Sequence, residues 1–225
     1  MTGKTAPALA LRERLLDAML VEAEAQGWNS AALAAAAKRA GMTPGEAELA
    51  APRGPIELIE AFSDRLDKAM AAELAGEELA SMKIRERVTL AVRTRLELIA
   101  PYKQAARRAA ARLAMQRGGI LAGTLAWRTA DAIWRALGDQ STDGNFYSKR
   151  AILSGVYAST LGLWLMDQSP DSRRSWDFLD ARIGNVMQFE KFKATRLKPL
   201  GFALFAGISE LGKMRYGKDE PVKPA

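Results

Sequence analysis

The side chains that most often perform chemistry in proteins are unevenly represented in this sequence. Its 225 residues include no histidine and no cysteine. Histidine is the usual general base and metal ligand near neutral pH, and cysteine supplies thiolate nucleophiles and thiolate metal sites. Catalysis would depend on carboxylates, lysine, serine or tyrosine, and no paired-carboxylate or phosphate-loop motif accompanies them. We therefore predict a protein that is not an enzyme, with no catalytic residue, no metal ligand and no cofactor.

One group of side chains has the composition of an interaction surface. Asp131 and Trp134 follow Trp127 by four and seven residues, so all three lie on one face of a helix, and Arg135 flanks them. Exposed tryptophan and arginine beside aliphatic residues are typical of binding hot spots. In the alternative interpretation both tryptophans are core residues and Asp131 bonds the polar loop at 139–145. We expect Trp127 to be the more buried tryptophan and Trp134 the more exposed one.

Charge divides the chain into an acidic first part and two basic later parts. Residues 1–80 hold 8 Lys/Arg and 13 Asp/Glu, whereas residues 82–117 hold 10 and 2, and residues 191–225 hold 8 and 3. An anionic partner should therefore meet the middle or the C-terminal part. The basic residues of the middle part, Arg95 among them, are expected on a solvated helix face.

Helix-forming residues dominate the segments that must position these groups. Alanine and leucine are abundant, valine and isoleucine are sparse, and the fold class predicted is all-α. Apolar spacing, with breaks at glycine and proline, predicts about ten helices. Ser30, Thr43 and Ser169 are the predicted N-caps, with Pro170 and Asp171 in the first turn after Ser169. The predicted helices lie at residues 9–26, 30–40, from 44 to near 51, 54–80, 83–100, 102–116, 121–137, 147–166, 170–192 and 199–215.

The first four predicted helices have the arrangement of a helix-turn-helix head and resemble the DNA-binding head of TetR-type regulators. The turn is Gly41-Met42-Thr43-Pro44. A DNA reader needs Lys and Arg to neutralise phosphates and polar side chains to contact base edges. The helix that would read DNA instead carries Glu46, Glu48 and no base. A TetR-type DNA-binding transcription regulator is therefore kept as the alternative function, and no nucleic-acid partner is expected.

A long and specific motif resembles another family. The stretch from Trp127 to Asp143, continuing from Asn145 to Leu153, is similar to the signature of the coenzyme Q biosynthesis protein nine family. The segments 82–87 and 167–178 and the pair Gly27-Trp28 add to the resemblance, which covers roughly residues 9–192. It implies a TetR-regulator-like helical bundle that binds lipid instead of DNA.

The resemblance implies an accessory role in ubiquinone biosynthesis. Members are implied to hold isoprenoid quinone intermediates and to present them to the membrane-associated di-iron demethoxyubiquinone hydroxylase. Helices 83–100, 121–137 and 147–166 could enclose an elongated apolar cavity, although the same side chains would equally fill an ordinary core. The candidate lipid-binding residues are Leu96, Leu113, Trp127, Tyr147, Leu153, Tyr157 and Leu161. By the same resemblance, the residues that would dock the hydroxylase are Leu121, Leu125, Asp131, Trp134 and Arg135.

The last predicted helix is amphipathic and follows a basic link at residues 193–198. Apolar residues spaced at helical intervals and flanked by lysine and arginine suit the interface of an anionic membrane. A helix packed on the body or on a partner subunit is the alternative. The candidate membrane-contact residues are Leu200, Leu204, Phe205, Ile208 and Leu211.

These observations predict three segments and a location. Residues 1–80 form the helix-turn-helix-like head, residues 81–192 form the lipid-binding and dimerisation body, and residues 193–225 form the link, amphipathic helix and tail. By similarity to the regulators, the helices at 147–166 and 170–192 are expected to make a homodimer. The N-terminus has no apolar run of signal-peptide length, and the uncharged stretch at 151–166 is too short and too polar to span a bilayer. We expect a cytoplasmic protein, peripheral on the inner face of a bacterial inner membrane.

Overall fold

Nine α-helices make up most of the described part of the chain. The computed structural model describes residues 5–115, 119–141 and 144–192, and these contain no strand. Short 3-10 turns at Leu79–Ser81, Ala100–Tyr102 and Pro170–Ser172 join some of the helices. The prediction of an all-helical chain is confirmed. The helices are α1 Thr5–Gln26, α2 Ser30–Arg39, α3 Pro44–Ala50, α4 Pro55–Leu74, α5 Ile84–Glu97, α6 Lys103–Met115, α7 Gly119–Ala136, α8 Gly144–Met166 and α9 Arg173–Phe192.

The ends of α2 and α3 show how local sequence sets helix boundaries. Thr43 caps α3 as predicted, because its side chain accepts from the Glu46 backbone and the Glu46 carboxylate accepts from the Thr43 backbone. The prediction for α2 was wrong by one residue. Asn29, not Ser30, is the N-cap, and its Oδ1 accepts from the Ala32 backbone at 2.9 Å. Asparagine reaches that donor from an extended backbone, which leaves Ser30 as the first helical residue.

The predicted helix start at Ser169, Pro170 and Asp171 is confirmed in part: Ser169 is the N-cap of a 3-10 turn that precedes α9, and its hydroxyl accepts from the Arg174 backbone at 3.2 Å. Residues Pro170–Ser172 form a 3-10 turn, and Asp171 has a positive φ of 50°. The carboxylate of Asp167 accepts from the Ser169 backbone at 2.8 Å and from the Ser175 backbone at 2.9 Å. Hydrogen bonds from the Ser175 and Ser169 side chains, and then from their backbone N–H groups, hold the pKa of Asp167 well below its usual range. The carboxylate of Asp167, which precedes the 3-10 turn, thus accepts from a backbone N–H group in the first turn of α9.

Helix α4 lies at the centre of the helical packing. It contacts α1, α5 and α7, while α7 packs on α8 and α1 packs on α2, α3 and α6. Leu58, Met70 and Leu74 on α4 are fully buried, as the apolar spacing predicts. The helix ends at Leu74, earlier than the predicted 54–80, because Gly76 and the two glutamates after it disfavour further turns near a negative helix C-terminus.

The chain divides into two compact units, Met1–Asp180 and Ala181–Ala225. The first unit contains every side-chain cluster described below. Of the second unit, the structure describes residues 181–192, which are helical. Across the described ranges, no helix combines the length and the apolar character needed to cross a bilayer.

Candidate functional site

An apolar cavity of about 390 Å³ lies among five helices of the first unit. Its wall is contributed by α4, α5, α6, α7 and α8, so α4 and α6 join the three helices that the sequence predicted to enclose it. Cavities of ~300–1,000 Å³ with few polar groups are typical of small-molecule sites. The lining residues are Ile59, Phe62, Ser63, Leu66, Arg95, Ile99, Ala106, Ala109, Ala110, Leu113, Ala114, Gly119, Ala122, Leu125, Ala126, Thr129, Tyr157, Ala158, Leu161, Gly162 and Leu165.

The cavity reaches the surface at a mouth made of small side chains. Ala114 of α6 and Ala158 and Gly162 of α8 are all lining residues that are exposed to solvent. Two large apolar side chains are exposed close to the mouth in sequence, Met115 at 87% and Ile120 at 81%. Small residues leave an opening, and Met115 and Ile120 are the most exposed large apolar side chains of the described residues.

Polar atoms are confined to one part of the wall, where a buried ion pair joins α4 and α5. Arg95 is 2% exposed, and its Nε donates to the Asp67 carboxylate at 2.6 Å. The Arg95 Nη2 donates to the backbone carbonyl of Ser63 at 3.2 Å and to its hydroxyl at 3.3 Å. Thr129 of α7 donates to Asp67 at 3.0 Å, so three helices meet at this carboxylate. Among the described residues, Arg95 Nη1 has no hydrogen-bond partner.

Tyr157 of α8 completes this polar end of the cavity. The guanidinium carbon of Arg95 lies 5.9 Å from the centre of the Tyr157 ring, within the range of a cation–π contact. Burial raises the pKa of the Tyr157 hydroxyl, so the phenol stays protonated at neutral pH. The polar end therefore combines one guanidinium, one neutral phenol and one carboxylate in an apolar setting.

The seven candidate lipid-binding residues fall into three groups in the structure. Leu113, Tyr157 and Leu161 line the cavity. Leu96 and Leu153 are buried in the core and are not among the lining residues, because they lie on parts of their helices that face other side chains. Trp127 and Tyr147 lie outside the wall. They contact each other with ring centres 6.4 Å apart, and Tyr147 is 65% exposed.

A second cluster of polar side chains links α7 to the start of α8 around the guanidinium of Arg150, which is 1% exposed. Its Nε donates to Asp131 at 2.6 Å, and its Nη1 donates to Asp139 at 3.1 Å and to the Phe146 carbonyl at 3.2 Å. Lys149 donates to Asp139 at 2.8 Å. Hydrogen bonds from Lys149 and then Ser141 hold the pKa of Asp139 well below its usual range.

The five candidate partner-binding residues do not all lie on the outer surface of α7. Trp134 and Leu121 are half-buried, and Arg135 is exposed and donates to Asp131 at 2.8 Å. Both oxygens of Asp131 are engaged, by Arg135 of the same helix and by Arg150 of α8, whereas the alternative interpretation had Asp131 bond the loop at 139–145. Leu125 is buried and lines the cavity, because its place on α7 faces the interior. Trp127 and Trp134 are both half-buried, so neither of the two is the clear core or surface residue that we expected.

Of the polar end, sequence reasoning found Tyr157 but missed Arg95, Asp67 and Thr129. Arg95 was grouped with the arginines of a solvated face, yet it is one of the most buried side chains of the described residues. The signal lay in the spacing, since Ala91, Val92 and Leu96 are buried on the same face of α5. The candidate membrane residues Leu200, Leu204, Phe205, Ile208 and Leu211 lie outside the described residues.

The helix-turn-helix-like head uses its arginines internally. Arg12 pairs with Glu57 at 3.1 Å, Arg39 with Glu22 at 2.7 Å, and Arg53 with Glu57 at 2.7 Å. Cations that already face carboxylates are less available to phosphates. No group of metal-ligating side chains able to hold an ion occurs among the residues that the structure describes.

Comparison with solved structures defines the class of fold. The crystal structure of the TetR transcriptional regulator from Nitrosomonas europaea ATCC 19718 matches with a TM-score of 0.61, covering 78% of this chain and 97% of that chain. The two sequences are 22% identical, a level at which the match speaks for the fold alone. The chain is therefore an all-helical protein with the fold of TetR-type regulators, as predicted.

Sequence comparison confirms the second resemblance. Residues 121–190 match the family model described as COQ9. The rat ubiquinone biosynthesis protein COQ9, mitochondrial, is 32% identical over 204 residues, which cover 88% of this chain and 65% of that protein. The human protein of the same name is 31% identical and covers 88% and 64%. The chain is thus a relative of the COQ9 proteins and spans slightly less than two thirds of their length.

The expected location is not supported by these relatives. The rat and human proteins, and the probable COQ9 protein of Dictyostelium discoideum at 27% identity, are all named as mitochondrial. The expectation of a cytoplasmic protein on the inner face of a bacterial inner membrane is contradicted by these names. It rested on charge and on the character of the N-terminus, and neither property distinguishes one anionic membrane from another.

Proposed function

We propose that this protein is a non-catalytic, lipid-binding accessory protein of ubiquinone biosynthesis. It binds isoprenoid quinone intermediates in the cavity and presents them to the di-iron demethoxyubiquinone hydroxylase. The relatives named for ubiquinone biosynthesis support the pathway. The observation that carries the lipid-binding proposal is the apolar cavity that opens at the surface between α6, α7 and α8.

The volume of the cavity agrees with a ligand of which only one end lies inside it. Its volume of about 390 Å³ is small beside a long polyprenyl chain, and its mouth is lined by alanine and glycine. One end of a long lipid fits inside while the rest leaves through the mouth. The gain on binding comes from removing apolar surface from water, at roughly 25 cal/mol per Å².

The surroundings of the mouth support an approach to a membrane. Met115 and Ile120 present apolar side chains to solvent, and Arg107 of α6 is also exposed. Apolar residues beside cations suit the interface of an anionic bilayer. The sequence segment that contains Leu200 and Leu211, outside the described residues, is proposed as a separate membrane contact. Lipid could then pass between the bilayer and the cavity without crossing water.

Docking of the hydroxylase is assigned to the outer surface of α7. Arg135 is exposed there, Trp134 and Leu121 are half-exposed, and Leu125 is excluded because it is buried. A half-exposed tryptophan next to an arginine is a frequent interface anchor. A homodimer through α8 and α9 remains part of the proposal.

Lipid binding is favoured over the alternative of DNA binding by the chemistry of the head. Its would-be reading helix, α3, carries Glu46 and Glu48, and the nearby Arg39 and Arg53 are paired with carboxylates. Both features oppose contact with a polyanion. Lys38 of α2 is the one exposed cation of these two helices without an ion pair among the described residues, and a single cation is little for a DNA-reading surface.

The proposal is tested by blocking the mouth. Ala158→Trp places a large side chain at an exposed lining position, and Ala151→Trp places the same side chain at an exposed position of α8 outside the wall. Each variant and the wild type are purified at equal yield, and bound lipid is measured by native mass spectrometry and by solvent extraction. We expect isoprenoid or quinone lipid with the wild type and Ala151→Trp, and at least a tenfold loss with Ala158→Trp.

Equal lipid in both variants would mean that the lipid is held elsewhere. Empty wild-type protein, also after incubation with vesicles that contain a ubiquinone, would refute lipid binding by this chain.

A further inference from the structure

Arg95 is an unusual component of an apolar cavity wall. A buried guanidinium loses its hydration, and this loss is compensated only when its donors find acceptors. Asp67 and Ser63 accept from Nε and Nη2, but Nη1 has no acceptor among the described residues. Buried donors are partnered in the great majority of cases, so an unpartnered one in a cavity wall needs an explanation.

The position of Arg95 in the wall supplies that explanation. Because Arg95 lines the cavity, an oxygen atom of a bound molecule can take the place of the missing acceptor. We propose that the lipid enters with its polar end first, and that Arg95 Nη1 donates a hydrogen bond to an oxygen of that end. This inference rests on the proposed lipid-binding function and adds the orientation of the ligand and its recognition.

The charge balance around Arg95 determines whether a neutral or an anionic oxygen of the ligand is preferred. Asp67 lies 2.6 Å from Arg95 and already compensates its charge, and Thr129 adds a hydrogen bond to the same carboxylate. A second anion at this place would be buried without a free countercharge, which is costly. The site therefore favours a neutral acceptor, such as a quinone carbonyl or a phenol oxygen, over a carboxylate or phosphate.

Tyr157 favours a flat head group. Its ring is buried beside the Arg95 guanidinium and lies in the same wall as Phe62. Aromatic rings in a cavity wall offer offset or edge contacts to the ring of a ligand. A ring that carries an oxygen thus satisfies both the donor and the aromatic wall. The isoprenoid chain then follows the alanine and leucine part of the wall toward Ala158 and Gly162 at the mouth.

The test compares three probes on the full chain: a short-chain ubiquinone, an isoprenoid hydrocarbon of similar length without a head group, and oleate. Dissociation constants are measured by native mass spectrometry and checked by quenching of tryptophan fluorescence. The variant is Arg95→Lys, which keeps a cation beside Asp67 but lacks the guanidinium nitrogen that would donate to the ligand. Arg93→Lys, an exposed position on the same helix, is the matched control.

We expect the wild type to bind ubiquinone more tightly than either other probe. Arg95→Lys should weaken ubiquinone about tenfold, the effect of losing one charge-assisted hydrogen bond, and leave the hydrocarbon within about twofold. Arg93→Lys should change neither. The wild-type comparison of ubiquinone with the hydrocarbon does not depend on any variant and keeps the test valid should Arg95→Lys fold poorly.

Three other results are decisive. Equal binding of ubiquinone and hydrocarbon by the wild type overturns entry by the head while lipid binding stands. Preference for oleate that Arg95→Lys removes overturns the neutral head group. Failure of all three probes to bind overturns the proposed function and this inference together.

Discussion

Two buried arginines, Arg95 and Arg150, are surrounded in opposite ways. Arg150 donates to two carboxylates and a backbone carbonyl, and it holds the first turn of α8 against α7. Arg95 donates to one carboxylate and to Ser63, and one of its nitrogens has no partner among the described residues. Both guanidiniums are removed from water, so burial alone does not separate them.

The difference lies in what each guanidinium faces. Two carboxylates and a backbone carbonyl accept from Arg150, which is the pattern of a clamp between two helices. One buried nitrogen of Arg95 has no acceptor among the described residues, and Arg95 also lines the apolar cavity. Buried polar groups that the fold leaves incompletely bonded are where a ligand gains most by binding. Arg150 is therefore assigned to stability and Arg95 to recognition.

The largest effect is expected from Arg150→Met. Removing the guanidinium takes a buried cation from Asp131 and Asp139, which keep only Arg135 and Lys149, so the cost should lie near the lower end of the ~3–5 kcal/mol of a broken buried pair. Urea unfolding at pH 7 should show a decrease of about 3 kcal/mol in the free energy of unfolding. Arg95→Lys, which keeps its ion pair, serves as the comparison and should cost clearly less. A small loss for Arg150→Met would show that this arginine is no clamp.

The fold was predictable from the sequence to a far greater degree than the site. Spacing and breaks at Gly27, Gly41 and Gly138, all of which adopt a positive φ, predicted helix ends within a few residues. Such signals are local, because a glycine in this conformation ends a helix whatever surrounds it. The Asn29 cap and the 3-10 turn before α9 depend on side chains just outside the helices, and there the prediction was wrong by one residue for α2 and incomplete for α9.

The cavity required knowledge of packing that the sequence does not supply. Leu96 and Leu161 are alike as residues, yet Leu96 is fully buried in the core and Leu161 lines the cavity. Whether each leucine faces the core or the cavity depends on how the five helices pack together. Asp67 and Arg95 are 28 positions apart in the sequence, so their pairing could not be predicted from local spacing. Each lies on an apolar helix face, and a charged residue at such a position was the one indication of a buried ion pair.

The Arg150 cluster should respond to acid. A carboxylate whose pKa is lowered by folding stabilises the protein above its unfolded pKa of about 3.9, and the benefit is lost as the pH falls. Lys149 holds the pKa of Asp139 below its usual range, so Asp139→Asn should flatten the loss of stability on acidification. Thermal midpoints at pH 7, 4 and 3 measure this slope. Asp177→Asn, on an exposed carboxylate of α9, is the control, and equal slopes for both variants would contradict the assignment.

The cavity end should respond to alkali instead. Burial raises the pKa of Tyr157 in the folded protein. A group of this kind contributes its full stabilisation below its unfolded pKa of about 10, and that contribution is lost as the pH rises through the folded pKa. Tyr157→Phe cannot ionise, so it should lose less stability than the wild type between pH 9 and pH 11. Chemical unfolding at both pH values tests this. Tyr147→Phe, at an exposed position, should follow the wild type, and a Tyr157→Phe curve parallel to it would argue against a dry cavity end.

The smallest effect on stability is expected from Arg135→Ala at the edge of the Arg150 cluster. Arg135 is exposed and donates to Asp131, which Arg150 already neutralises, so its loss should cost only about 0–1 kcal/mol. A residue that contributes so little to the fold is free to serve a partner. If the hydroxylase docks on α7, Arg135→Ala should weaken its capture in a pull-down several-fold while the unfolding curve and the bound lipid stay unchanged. Arg173→Ala, an exposed arginine on α9 with a longer ion pair of 3.9 Å, should leave capture intact. Equal capture by both variants would remove this arginine from the docking surface and leave the Arg150 cluster with a structural role alone.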